Sequence, residues 1–205
     1  MSLKGVAVID YGAGNLKSVE NALSYLKADY FVTDKPEDLA GADGMIFPGD
    51  GEAASAMGQL KKSGMDWAIR DFYRTGRPML GICIGCQVIL NRSEERDTKC
   101  LGLIEGSVRK IPYSPGLKIP HMGWNQVVFT TDHPVVRGVS PASFYFVHSY
   151  YPAPSREEDV IGRTEYGVDF PSAVGRENLI AFQFHPEKSA EPGLRLVSGF
   201  LTWKP

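Results

Sequence analysis

The first hundred residues alternate short apolar runs with longer stretches in which apolar residues recur at helical spacing. Gly5 to Ile9 reads as a continuous apolar strand, closed by Asp10 and a glycine turn at Gly12 and Gly14. Leu16, Val19, Leu23 and Leu26 then fall on one face of an amphipathic helix. Tyr30 to Thr33 and Gly44 to Phe47 are predicted as the second and third strands, the latter ending in Pro48-Gly49-Asp50-Gly51. A helical stretch follows, with a break predicted at Ser63-Gly64, and Met79 to Ile82 is a further strand. These strands are apolar throughout rather than alternating, which predicts a parallel sheet covered on both faces.

Beyond Cys100 the texture changes. Ser107 to Ile111, Gln126 to Thr130, Phe144 to His148, Val160 to Glu165 and Leu179 to Phe184 are short, β-rich and separated by Pro, Gly or Asn turns. A closing helix is predicted over Gly193 to Thr202. The pattern predicts a three-layer α/β domain whose later portion carries antiparallel strands, one domain over residues 1–205.

Composition narrows the function classes. With 22 Lys and Arg against 24 Asp and Glu, the net charge is −2, so no basic surface is offered to nucleic acid or anionic lipid. The apolar runs fall well short of the roughly 20 residues that span a bilayer. The chain enters its first strand too soon to leave room for a signal peptide. Three cysteines, two of them in one helical turn, do not make a disulfide framework. The expectation is a cytoplasmic protein with no metal or organic cofactor.

Candidate chemistry centres on RPMLGICIGCQ, Arg77 to Gln87. Gly81 and Gly85 flank Cys83 symmetrically between a strand and a helix-compatible run, the cysteine counterpart of a G-x-S-x-G nucleophile elbow. A nucleophile in such a turn leaves no room for side chains two residues to either side. A helix starting after Cys83 would aim its first amides and positive dipole end at the sulfur, favouring the thiolate. Two other readings stand beside this one: a buried cysteine in a glycine-rich turn, and a redox C-x-x-C made of Cys83 and Cys86.

A thiolate nucleophile needs a base, an orienting acid and oxyanion donors. In AFQFHPEKS, His185 and Glu187 stand two residues apart after an apolar strand, and period-two geometry predicts both side chains on one side. The carboxylate would then fix the imidazole's tautomer. Ile84 N–H, just after the nucleophile, is one oxyanion donor, and the PGDG turn containing Asp50 is the natural second source.

These motifs resemble the class I, triad-type glutamine amidotransferases, which implies a flavodoxin-like α/β/α fold. Three further strings, DYGAGNLKSV (Asp10 to Val19), PHMGWN (Pro120 to Asn125) and FYFVHSYY (Phe144 to Tyr151), are similar to the glutaminase subunits of imidazole glycerol phosphate synthase. The resemblance spans Val6 to Phe200. It implies that Cys83 attacks glutamine, His185 transfers protons and Glu187 orients His185. It implies substrate contacts at Gln87, Glu95, Ser149 and Tyr150, with Gly49 and Gly51 flanking a mobile oxyanion strand. It also implies that Asn15, Met122, Trp124 and Lys188 face a (β/α)8-barrel synthase in a heterodimer that channels ammonia, and that the partner's ligand activates the glutaminase. A paralogous glutaminase feeding another synthase, such as a sugar-modifying one, shares the same motifs.

Read without the resemblance, Trp124 between Gly123 and Asn125 predicts an exposed loop tryptophan that marks a contact. Lys188 reads as a solvated charge, His148 as structural, His121 as packed or partner-facing, and His133 as an exposed turn. Tyr150 and Tyr151 alternate in a strand, with one ring expected in the core. Two residues depart from the family pattern. Asp50 stands where an uncharged residue is usual, and is expected to face away from the oxyanion. Cys86 replaces a large apolar residue and stands near enough to Cys83 to pair with it.

Overall fold

A computed structural model describes residues 5–12, 16–139 and 141–205. The first half runs β1 (Val6–Ile9), α1 (Leu16–Tyr25), β2 (Tyr30–Thr33), β3 (Gly44–Phe47), α2 (Ala53–Ser63), α3 (Met65–Arg74), β4 (Met79–Ile82) and the short α4 (Ile84–Val88). Then come β5 (Arg92–Ser93), β6 (Thr98–Lys99), β7 (Gly106–Lys110), β8 (His121–Phe129), β9 (Ala142–His148) and β10 (Tyr150–Pro154). The chain closes with β11 (Val160–Glu165), β12 (Asp169–Arg176), β13 (Leu179–Phe182) and α5 (Ala190–Thr202).

Among the described residues, a nine-stranded sheet has the order β2-β1-β3-β4-β13-β12-β11-β8-β9, and a four-stranded sheet the order β10-β7-β5-β6. The strands from β2 to β13 pair in parallel, and those from β13 to β9 antiparallel. The uniformly apolar strands follow from that burial. Alternate residues feed two separate cores: Ala7, Ile9, Met45, Phe47 and Met79 pack beneath α2, α3 and α4. Their neighbours Val8, Ile46, Leu80 and Ile82 pack with Val19 and Leu23 of α1 and with Leu196 and Phe200 of α5.

The helix break falls at Gly64, whose φ of 78° ends α2 in the left-handed region and admits α3 at a new angle. Among the described residues no helix is long and apolar enough to cross a membrane. The architecture brings the carboxyl ends of β3, β4 and β13 side by side, the edge at which parallel α/β sheets hold their ligands.

Candidate active site

Cys83 ends β4 at φ 54° and ψ −105°, a region that a non-glycine residue enters only under strain. Its N–H donates to the Phe182 carbonyl of β13 at 2.8 Å, and its carbonyl accepts from Cys86 and Gln87 N–H at 3.0 and 3.2 Å. The flanking glycines are steric necessities. A Cβ on Gly85 would lie 2.0 Å from the Phe47 carbonyl oxygen, and one on Gly81 would lie 3.0 Å from both Ala181 Cβ and the Gly85 oxygen. The helix that follows spans only Ile84–Val88, so its influence on the sulfur comes from first-turn amides rather than from a long dipole.

His185 follows the adjacent strand β13, and its N–H donates to the Tyr145 carbonyl at 2.9 Å. The backbone then leaves the extended conformation in a 3-10 turn over Pro186–Lys188. The shared side of His185 and Glu187 is therefore the product of a turn, not of strand alternation. His185 Nδ1 donates to Glu187 Oε1 at 2.8 Å, and both side chains are 2% exposed. Ser189 locks this turn: its hydroxyl donates to the His185 carbonyl at 2.5 Å and accepts from Tyr145 N–H at 2.9 Å.

With Nδ1 committed to the carboxylate, Nε2 is buried with no partner in hydrogen-bond geometry among the described residues. The Cys83 sulfur nonetheless lies within electrostatic reach. Burial alone would lower the imidazole pKa, but Cys83 first and Glu187 second reverse that and raise it to about 10. Loose contacts of this kind are common before substrate binds.

The sulfur opens into a cleft of about 260 Å³ bordered by Asp50, Gly51, Ile84, Gln87, Glu95, Pro120, Val147, His148, Ser149 and Tyr150. Gln87 Nε2 donates to the Tyr150 carbonyl and to Gln183 Oε1, both at 3.0 Å. Gln183 Nε2 in turn donates to Cys83 Sγ at 3.8 Å. Gln183 was not anticipated, although a lone polar residue between Phe182 and Phe184 was the available signal. Glu95 Oε2 accepts from Ala53 N–H at 2.7 Å, which ties the cleft to the start of α2. Burial raises the Glu95 pKa against the lowering effect of that bond.

Gly49 is closely packed. A Cβ there would meet Ile84 Cγ2 and the Tyr11 hydroxyl, each at 2.0 Å. Gly51, at φ 84°, occupies the left-handed region beside solvent, and Asp50 is exposed at the cleft's border. Tyr11, a second unanticipated neighbour, has a buried hydroxyl with no hydrogen-bond partner among the described residues. Burial, followed by the charges of Cys83, Asp50 and Asp10, pushes its phenol far above the usual range. An unsatisfied buried hydroxyl costs about 1–3 kcal/mol. Tyr11→Phe is therefore expected to raise the urea midpoint of unfolding, and a lower midpoint would mean that the hydroxyl has a partner.

The remaining candidates divide clearly. Met122 and Trp124 stand on the outward face of β8, 62% and 58% exposed. Trp124 thus lies in a strand and not in the loop that Gly123 and Asn125 suggested, while its exposure stands. Lys188 is exposed, and Asn15 lies outside the described residues. Tyr150 and Tyr151 are both half-buried, one against each core, so neither ring is fully enclosed. His133 is half-buried rather than an exposed turn: Nδ1 accepts from Val135 N–H at 3.3 Å and the ring meets Trp203 edge-on.

The three cysteines are free. Cys86 sits fully buried in one core while Cys83 packs with the other, and burial pushes the Cys86 thiol well above its ordinary range. Nothing in this arrangement favours a dithiol switch.

His121 and His148 are buried, and burial lowers their pKa values to about 4 and about 3. Both are therefore neutral in the fold and protonated in the unfolded chain below about pH 6.5. Their contribution to stability is complete above pH 6.5 and is lost as pH falls toward their folded values. Each is expected to cost on the order of 1–2 kcal/mol by pH 5. Urea unfolding at pH 7.5 and pH 5 measures this, and equal midpoints would contradict it.

Comparison with known proteins agrees with this geometry. The model of the class-I glutamine amidotransferase family matches residues 7–202. The imidazole glycerol phosphate synthase subunit HisH of Nitratidesulfovibrio vulgaris is 47% identical over 204 residues, covering 95% of this chain and 94% of that protein. The HisH of Dehalococcoides mccartyi is 46% identical over 197 residues, covering 95% of both chains. A crystal structure of a glutamine amidotransferase superposes with a TM-score of 0.76 at 22% identity, covering 96% of this chain and 97% of the other, a likeness of fold. The chain belongs to the class I glutamine amidotransferases, and within them to the HisH subunits of imidazole glycerol phosphate synthase.

Proposed function

We propose that this chain, as a single amidotransferase domain, cleaves the side-chain amide of L-glutamine through a thioester on Cys83 and delivers the ammonia to a cyclase subunit. That partner uses it to make imidazole glycerol phosphate and aminoimidazole carboxamide ribotide in histidine biosynthesis, in the cytoplasm. The observation that carries this reading is Cys83 at the end of β4 beside the His185–Glu187 pair, bonded at 2.8 Å, beyond the end of β13.

In the first half-reaction the Cys83 sulfur attacks the amide carbon, and the oxygen takes the negative charge. Ile84 N–H and the amide of Asp50 in the PGDG turn are the donors for that oxyanion. An imidazolium at His185 is the form that can protonate the nitrogen as the C–N bond breaks, so ammonia leaves neutral and a γ-glutamyl thioester remains. In the second half-reaction His185 takes a proton from water, hydroxide attacks the thioester, and glutamate and the thiolate are released. Glu187 holds the ring in one orientation throughout. Gln87, Glu95, Ser149 and Tyr150 line the part of the cleft suited to the amino-acid end of glutamine; Gly51, in the left-handed region, lets the oxyanion turn move at little steric cost, and Gly49 leaves room for Ile84 and Tyr11 beside it.

The exposed apolar residues Met122 and Trp124, together with Lys188, suit a docking face for a (β/α)8-barrel cyclase in a heterodimer. The test is reconstitution with that cyclase subunit and its nucleotide substrate. Glutamine is expected to support synthesis as well as free ammonium does. Synthesis from ammonium alone would overturn the proposal.

A further inference from the structure

Beneath the outward strand β8 lies a polar thread that the glutaminase chemistry does not use. His121 and His148 face each other across β8 and β9, 2% and 5% exposed. Their protons can be assigned from their partners. His148 Nδ1 stands 2.8 Å from the Tyr150 carbonyl, which only accepts, so Nδ1 carries the proton. In the neutral ring Nε2 is then bare, and it accepts from His121 Nδ1–H at 2.9 Å. His121 Nε2 is bare in turn and faces the Asn125 amide nitrogen at 3.3 Å. That amide is itself fixed, donating to the Glu165 carbonyl at 2.9 Å while Asn125 Oδ1 accepts from Gln126 N–H at 2.7 Å. One proton arrangement satisfies every atom in the thread.

The rings are also held mechanically. His121 is stacked between Tyr166 and Phe146, with centroids 3.8 and 4.7 Å away and planes within 19° and 23°. At the other end, the Tyr150 carbonyl that receives His148 also receives Gln87 Nε2, and His148 itself borders the cleft. An apolar pair would fill this space without the cost of burying two imidazoles. What the imidazoles add is direction, because a carbonyl with two fixed donors has one orientation.

We propose that His121 and His148 are positioning residues, a tautomer-locked pair that sets the Tyr150 carbonyl and with it the Gln87 amide, so that the cleft is shaped to hold glutamine. The proposal rests on the cleft being the glutamine site and extends it to residues that never touch the reacting atoms. His121→Phe fills the stack but removes the donor to His148. It is expected to raise the KM for glutamine about tenfold, the loss of one buried hydrogen bond, with kcat within about twofold. His121→Asn, whose amide nitrogen stands near the position of Nδ1, is expected to recover most of that loss. Lowered stability with KM unmoved in both variants would overturn the proposal.

A second measurement does not depend on those variants folding. With only four histidines in the chain, nitrogen NMR of full-length protein labelled at histidine reads each tautomer separately. His121 and His148 are expected to carry protons on Nδ1, and the His148 signal to move when Cys83→Ala protein is saturated with glutamine. Nε2-protonated rings, or a bound state with unmoved signals, would overturn the proposal. If the Cys83→Ala protein does not bind glutamine at all, the reading of the cleft fails and the proposal falls with it.

Discussion

Replacing Cys83 with alanine is expected to abolish glutamine hydrolysis, with turnover falling by at least about 10⁴-fold, as when a nucleophile is removed from a triad. The carboxamide would still enter the cleft, so binding should persist while ammonia release stops. Cys86→Ala provides the contrast. Cys86 is enclosed in the opposite core and its thiol is raised by burial, so its loss should leave turnover within about twofold. A dithiol mechanism predicts equal damage from both substitutions. His185→Ala should match Cys83→Ala rather than multiply it, because members of a triad act as a unit. Ammonia release assayed in the reconstituted complex distinguishes these outcomes.

Gly85→Ala is expected to destabilise the fold strongly. The added Cβ would stand 2.0 Å from the Phe47 carbonyl oxygen, a backbone atom that cannot rotate aside. Either β3 or α4 must retreat, and both border the oxyanion site. Forcing even one methyl group into packed structure costs about 1–3 kcal/mol, and here the obstacle is backbone, so the loss should reach the top of that range or exceed it. Gly58→Ala is the control. It lies inside α2 with no described residue within 4 Å of the new methyl, and should gain roughly 0.5–1 kcal/mol from helix propensity. Urea midpoints of the two variants should move in opposite directions. Equal midpoints would show that the close approach at Gly85 is not tight.

The legible part of this fold was the part governed by local pattern. β1, β3 and β4 are uniformly apolar because both faces are buried, and that burial is written in the residues themselves, whereas the edge strand β2 is only partly covered. The elbow was legible because glycines at 81 and 85 answer to contacts at fixed offsets from Cys83. Strands whose composition argues against them were not, or only in part: of β10 only Tyr150 and Tyr151 read as strand. β10 carries Pro152 and Pro154, tolerated because it lies at the edge of the small sheet. β12 carries Pro171 and Gly175, and Pro171 pairs with Arg163 beside a register shift in β11. The first half of β8 was hidden by Gly123 and Asn125, so the setting of Trp124 was misjudged although its exposure was not.

Within the site, His185 and Glu187 were found by spacing, yet the geometry that joins them is a turn locked by Ser189. Tyr11 and Gln183 escaped because their roles depend on neighbours far away in the chain. Gln183 reaches back 96 residues to Gln87 and 100 to Cys83. The histidine pair is the same case: His148 reads as structural and His121 as packed or partner-facing, and their pairing emerges only when β8 and β9 are laid side by side.

In every cycle the sulfur at position 83 must form and lose a bond to the substrate. Acid quenching of the reconstituted complex during steady turnover of glutamine, followed by mass analysis of its peptides, tests this directly. A γ-glutamyl group on the peptide containing Cys83, absent from the His185→Ala and Cys83→Ala proteins, is the predicted result. Label on the Cys100 peptide, or undiminished ammonia release from the Cys83→Ala protein, would contradict it.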